Sequence, residues 1–230
     1  MISPQFRRQS SFPAPALYSA ATSRNRPTTQ AHMDGKVEVD GKEWLSQGFM
    51  KLARFTVSHE RFGGGMIGPM TRELVVRSPA VGVIPYDPVA DKFLLIEQFR
   101  LAAHLAGLPA WQREVVAGIS DREESPEDLA RREAMEEANC RVTDLVEMIR
   151  FLPSPGMTNE VFILYCGRMD SNHVTGVHGL ASEQEDIRST LFDGSQIPEL
   201  LAHGHTGNGP LIIALGWMLA NRERLRKQWR

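Results

Sequence analysis

Cysteine is nearly absent from this chain. Cys140 and Cys166 are the only two among 230 residues, and they stand at no metal-ligand spacing and form no disulfide framework. Both lie in apolar stretches, where a free cysteine is expected to act as a small buried hydrophobe, and a reducing compartment such as the cytoplasm fits. Long apolar runs are missing too: none approaches the roughly 20 residues needed to span a bilayer, so no membrane partner is expected. A large excess of charge of either sign is also lacking. The formal net charge of −2 gives no electrostatic case for a nucleic-acid partner. What remains, 42% hydrophobic and 23% charged residues, is the composition of an ordinary globular protein. The length suits one main domain with an extension.

The first 33 residues lack acidic side chains altogether: the first is Asp34. This segment holds Arg7, Arg8, Arg24 and Arg26 among many Ser, Thr, Pro and Ala residues. That composition suits an organelle transit peptide, a disordered tail, or an over-long start with Met33 as the initiator. No clear amphipathic helix favours the first of these. Residues 1–35 are therefore set apart from the fold.

From Phe49 the pattern reads as strands. Phe49 to Ser58 and Thr71 to Arg77 are β-rich, with Gly63-Gly64-Gly65 between them as a hairpin loop. Ala80 to Ile84 and Phe93 to Ile96 are short apolar strands joined through the turn residues Tyr86-Asp87-Pro88. Arg113 to Ala117, Phe151-Leu152, Val161 to Cys166 and Ile187 to Phe192 are further strand segments. A short helix is expected near Ile197 to Ala202, and a longer one from Pro210 towards Trp229. The basic end of that last helix, Arg222 to Arg230, suits the helix dipole. Strands with interspersed helices indicate an α+β sandwich.

One helix announces both of its ends. Ser125 can cap it, Pro126 suits its first position, and Asp128 stands where a capping box wants an acceptor. It should run to Ala138, with Asn139 as a left-handed C-terminal cap. Glu133, Glu136 and Glu137 on this helix are related as i, i+3 and i+4, so three carboxylates share one face. Like charges at that spacing cost roughly 0.2–0.5 kcal/mol per pair, so something positive should stand opposite. Oxygen ligands with nothing softer nearby suit Mg²⁺ or Mn²⁺ and not zinc. An acidic face paired with Arg131, Arg132 and Arg141 would be the plainer interpretation of these residues alone.

The surrounding pattern decides between them. Gly118, five residues, Glu124, seven residues, Arg132-Glu133, an apolar residue, any residue, then Glu136-Glu137 fixes six positions across 23 residues. It resembles the box of the Nudix hydrolases. Asn139 stands where the box ends in glycine, a departure that a residue tolerant of the left-handed conformation should survive. The resemblance implies a Nudix α/β/α sandwich over 79–230, preceded by a small N-terminal antiparallel β-subdomain over 36–78. It also implies metal ligation by Glu133, Glu136, Glu137 and the carbonyl of Ala117. Arg132 and Glu124 would brace the loop that starts at Gly118. About two or three Mg²⁺ ions, with Mn²⁺ as a substitute, are the implied cofactor.

The likeness runs from Gly48 to Trp229 and is similar to the bacterial ADP-ribose pyrophosphatases. Pro155, fifteen residues beyond the box, is the marker associated with ADP-ribose substrates. By the same resemblance Phe49 would stack on adenine and Arg72 would reach the nucleotide, both from a second copy of the chain in a homodimer that exchanges N-terminal strands. Arg100 would contact the phosphate and adenine side, and Glu160 the terminal ribose. Glu183 would serve as catalytic base, with Glu185 helping to bind metal or water. The implied reaction is ADP-ribose plus water giving AMP and ribose 5-phosphate. Another nucleoside diphosphate sugar such as GDP-mannose is the alternative substrate. A non-catalytic ADP-ribose sensor is disfavoured because every box carboxylate is present.

Overall fold

A computed structural model of the chain describes residues 35–172, 174–180, 182, 184–202 and 208–229. Its first sheet is a meander of β1 (Val37–Gln47), β2 (Lys51–Glu60) and β3 (Met66–Val76), paired antiparallel in that order. β1 is exposed along nearly its whole length, and with no buried face it has no alternation to betray it in the sequence. Gln47 pairs with Lys51, so the chain reverses through residues 48–50. Phe49 thus belongs to a turn and not, as the sequence suggests, to the start of a strand.

The second sheet follows from β4 (Ala80–Asp87), β5 (Lys92–Phe99), the short helix α1 (Leu101–Leu105), β6 (Trp111–Glu114) and β7 (Val116–Ile119). Helix α2 (Pro126–Ala138), β8 (Leu145–Phe151), β9 (Phe162–Arg168), β10 (Gly176–His178) and β11 (Ile187–Asp193) come next. Helices α3 (Ile197–Ala202) and α4 (Gly209–Gln228) complete the chain. The strand order is β10-β11-β5-β4-β9-β8, with β6 on β5 and β7 on β4; β4 and β9 run parallel.

Every residue of β4 is buried, as expected of a strand covered on both faces. Successive side chains alternate sides. Val81 and Val83 join Leu94, Ile96 and Ile163 under α2. Ile84 and Tyr86 join Phe93, Leu95 and Leu164 under α4. The result is an α/β/α sandwich of the α+β class. On α2 the buried residues include Ala130, Ala134 and Ala138; side chains no longer than a methyl let the helix lie close to the sheet. Cys140 and Cys166 are fully buried in these two cores.

The two sheets meet along the loop before β9. The Val75 amide donates to the Met157 carbonyl at 2.8 Å, and the Arg77 amide donates to Asn159 Oδ1 at 2.9 Å. β1, α1, β10 and most of β8 have no counterpart in the sequence reading. In β8 the alternation is masked by Glu147 and Arg150, which pair with each other at 2.7 Å on the exposed side.

Candidate active site

Helix α2 starts and stops where its sequence says. Ser125 Oγ accepts the Asp128 amide at 3.1 Å and Pro126 takes the first turn. Asn139 adopts the left-handed conformation, with φ 46° and ψ 38°. These ends set the rotation of the helix, which turns Glu133 and Glu137 toward β7.

Glu137 is buried, only 4% exposed, and its Oε2 accepts the Ala117 amide at 3.0 Å. Burial pushes its pKa well above the usual carboxylate range, and the Glu133 and Glu185 carboxylates push the same way against the Ala117 hydrogen bond. Glu133 is raised to about 6, mainly by burial, although the Arg132 charge opposes this. Its carboxyl group lies directly over Gly118, where a methyl group would overlap it. A side chain at position 118 would therefore push the Glu133 carboxylate aside.

Arg132 answers the repulsion that the sequence implied. Its Nη2 meets Glu124 Oε1 at 2.9 Å, while Nη1 lies 2.9 Å from Glu133 Oε1 and 2.7 Å from Glu136 Oε2. One guanidinium thus counters three carboxylates, and the Glu124 hydrogen bond holds its pKa above the ordinary arginine value. Opposite α2, Glu185 closes the base of a loop: its Oε2 accepts the Leu180 amide at 3.0 Å. Gly179 beneath it has φ +108°, and a methyl group there would overlap the Glu185 Cβ.

These groups line one cleft of about 270 Å³ that includes Ala117, Glu133, Glu136, Glu137, Glu185 and Phe49. A larger hollow of about 650 Å³ lies around Asp87. There the Asp87 carboxylate is already satisfied by Val89, Ala90 and Ser171, so it fastens a turn. Among the described residues, no three His, Cys, Asp or Glu side chains are already grouped as around a bound ion. Arg132 draws Glu133 and Glu136 to itself, which accounts for part of that spread. The donor set nevertheless fits a hard divalent cation. It is built from oxygen ligands, and in two of its carboxylates, Glu133 and Glu137, burial disfavours the negative charge that a bound cation would offset.

The remaining sequence-named residues stand differently. Phe49 reaches the cleft from the β1–β2 turn of its own chain, and it is 92% exposed. Arg72 is exposed on β3, its Nη1 donating to the Thr71 carbonyl at 2.8 Å. Glu160 is mostly buried in an ion pair with Arg77 at 3.2 Å. Pro155 lies in the exposed turn of the loop that joins the two sheets. Arg100 stands beside the cleft, gripped by Glu114, a residue that the sequence reading passed over. The signal for it was a lone glutamate inside the apolar run leading to Gly118. Glu183 lies outside the described residues.

Gly118→Ala separates the site from the scaffold. The overlapping group is the mobile end of Glu133, so the melting temperature should move little, while affinity for Mn²⁺ should fall about tenfold or more. Thermal melts and ion titration of the variant measure both; unchanged affinity would show that Glu133 has no part in holding the ion.

Three comparisons bear on these observations. The NUDIX domain family matches residues 76–209. A curated ADP-ribose pyrophosphatase from Escherichia coli (strain K12) is 38% identical over 205 residues, covering 89% of this chain and 97% of the relative. A GDP-mannose pyrophosphatase from Yersinia enterocolitica is 28% identical over 185 residues, covering 80% of this chain and 95% of the relative. Among solved structures, an ADP compounds hydrolase superposes with a TM-score of 0.62 at 17% identity, covering 84% of this chain and 96% of the other, which speaks for the fold alone.

Proposed function

The chain belongs to the NUDIX domain family, and from that premise we propose that it is a divalent-cation-dependent pyrophosphohydrolase that cleaves ADP-ribose to AMP and ribose 5-phosphate. The observation that carries this reading is Glu137, buried on the Ala117 amide with Glu133 and Glu185 around it. The 38% identity to an ADP-ribose pyrophosphatase over nearly the whole of both chains supports the choice of substrate.

In this reading Glu133, Glu136, Glu137, Glu185 and the Ala117 carbonyl hold the cation, about two or three Mg²⁺ ions with Mn²⁺ able to replace them. Such ions neutralise charge that grows on the diphosphate and acidify the attacking water. Arg132 and Glu124 hold the carboxylates at their height above β7. Glu183 accepts a proton from water as it adds to phosphorus, and the bridging P–O bond breaks to release the two monophosphates. Arg100 binds a phosphate, a task suited to a planar guanidinium. Phe49 stacks on adenine, Arg72 contacts the nucleotide, Glu160 accepts from the terminal ribose, and Pro155 shapes the loop that carries it.

The working form in this reading is a cytoplasmic homodimer whose N-terminal strands, within 36–78, exchange between copies. Support comes from the first sheet, where Val37, Val39 and Trp44 of the edge strand β1 are exposed; a small sheet with an uncovered apolar edge strand gains stability from a covering partner.

A substrate panel tests the reading. With Mg²⁺, kcat/KM for ADP-ribose should exceed that for GDP-mannose by about tenfold or more, a difference of roughly 1.4 kcal/mol in transition-state binding. A preference for GDP-mannose would replace the substrate while leaving the chemistry intact.

A further inference from the structure

β5 and β6 run antiparallel, with Ile96 opposite Glu114 and Gln98 opposite Gln112. Side chains alternate along a strand and opposite residues share a face. Ile96, Gln98 and Arg100 therefore project from the same side of the sheet as Glu114. That side carries α2, because Ile96 and Val116 belong to the core beneath the helix.

Glu114 is only 6% exposed, where an uncompensated carboxylate would be costly. Arg100 compensates it through two parallel hydrogen bonds, Nε to Oε1 at 3.0 Å and Nη2 to Oε2 at 2.6 Å. Gln98 Nε2 adds a third at 3.3 Å. Arg100 is half exposed, and its Nη1 has no hydrogen-bond partner among the described residues. Its pKa is raised first by Glu114 and then also by Glu137 and Glu185, which places the guanidinium within the field of the cleft carboxylates.

We propose that Glu114 is a positioning residue: it clamps two nitrogens of Arg100, so that the third is presented at a fixed place beside the carboxylate cleft to a phosphate of the substrate. The proposal rests on the reading of the site as a nucleotide-sugar pyrophosphohydrolase. Without the clamp, the long arginine side chain is free to fold onto Glu137 or Glu185 and compete with the cation for them. With it, one buried carboxylate satisfies the charge of Arg100 before substrate arrives, and the outer edge remains available.

The test compares wild type, Glu114→Gln, Arg100→Ala and the double variant with saturating Mg²⁺ and ADP-ribose as substrate. Binding of an α,β-methylene ADP-ribose analogue is measured in parallel by calorimetry. Glu114→Gln should raise KM and the Kd of the analogue about 10- to 100-fold while kcat changes less. In the Arg100→Ala background the same substitution should add almost nothing, because both act through one contact. Should Glu114→Gln fail to fold, Glu114→Asp, too short to hold both nitrogens, is expected to shift KM in the same direction. Unchanged KM and Kd, or an equal loss with and without Arg100, would overturn the proposal while wild-type turnover left the substrate reading standing. No wild-type turnover of ADP-ribose would overturn both.

Discussion

Glu137→Gln is expected to reduce turnover by on the order of 10³-fold while leaving the ion-free protein at least as stable as the parent. The two halves of this result have one cause. Glu137 is buried, and burial, aided by the neighbouring Glu133 and Glu185 carboxylates, holds its carboxyl group well above its ordinary pKa despite the Ala117 hydrogen bond and the Arg100 charge. Glutamine has the same shape, carries no charge to desolvate, and retains an oxygen for the Ala117 amide now bonded at 3.0 Å. The fold therefore loses nothing. Catalysis loses an anionic ligand from the place where charge must be neutralised, and about 4 kcal/mol of transition-state stabilisation corresponds to three powers of ten. Steady-state kinetics and thermal melts without divalent ions measure the two halves. Turnover within tenfold of the parent would remove Glu137 from the site, and a sharp fall in melting temperature would make it a plain structural residue.

A divalent cation should stabilise the protein far more at pH 7.5 than at pH 5.5. The sign follows from the raised pKa values. Glu133 moves from 4.5 to about 6 on folding, so the folded state holds that proton more tightly than the unfolded chain. The associated stability is fully present below about pH 4.5 and is lost as the pH rises through about 6; Glu137 extends the loss upward. The ion-free protein thus enters neutral pH with repelling carboxylates in one cleft. Mg²⁺ binds the deprotonated form. At 100 times its Kd it adds about 2.7 kcal/mol, roughly 5–10 °C in a chain of this size. Melting curves at the two pH values, with NaCl at matched ionic strength as control, supply the comparison. Equal shifts at both, or shifts reproduced by NaCl, would mean that the carboxylates are not the ion's ligands.

The box helix was legible because its information is local. Ser125, Pro126 and Asn139 mark its ends within the chain itself, and the spacing of Glu133, Glu136 and Glu137 fixes a shared face with no knowledge of the rest of the molecule. The central strands were legible for a related reason: Ala80 to Ile84 and Val161 to Cys166 are apolar at nearly every position because helices cover both sides of the sheet. β1 escaped because the stretch from Val37 to Gln47 is exposed almost throughout and shows no buried period. α1 escaped because its five residues make little more than one turn, too short to display a helical period, and none of them is buried. The clamp on Arg100 was invisible for another reason. Glu114 and Arg100 are fourteen positions apart, and only the register of β5 against β6 brings them together.

The central claim, that the carboxylates between α2 and β7 form a cradle for divalent cations gripping a diphosphate, is most directly tested by calorimetry. Mn²⁺ is titrated into the protein at pH 7.0 with an α,β-methylene ADP-ribose analogue present, in buffers of different ionisation enthalpy. Saturable uptake accompanied by proton release, and abolished in Glu137→Gln, is the predicted result. No uptake in the parent, or uptake that Glu137→Gln leaves untouched, would contradict it.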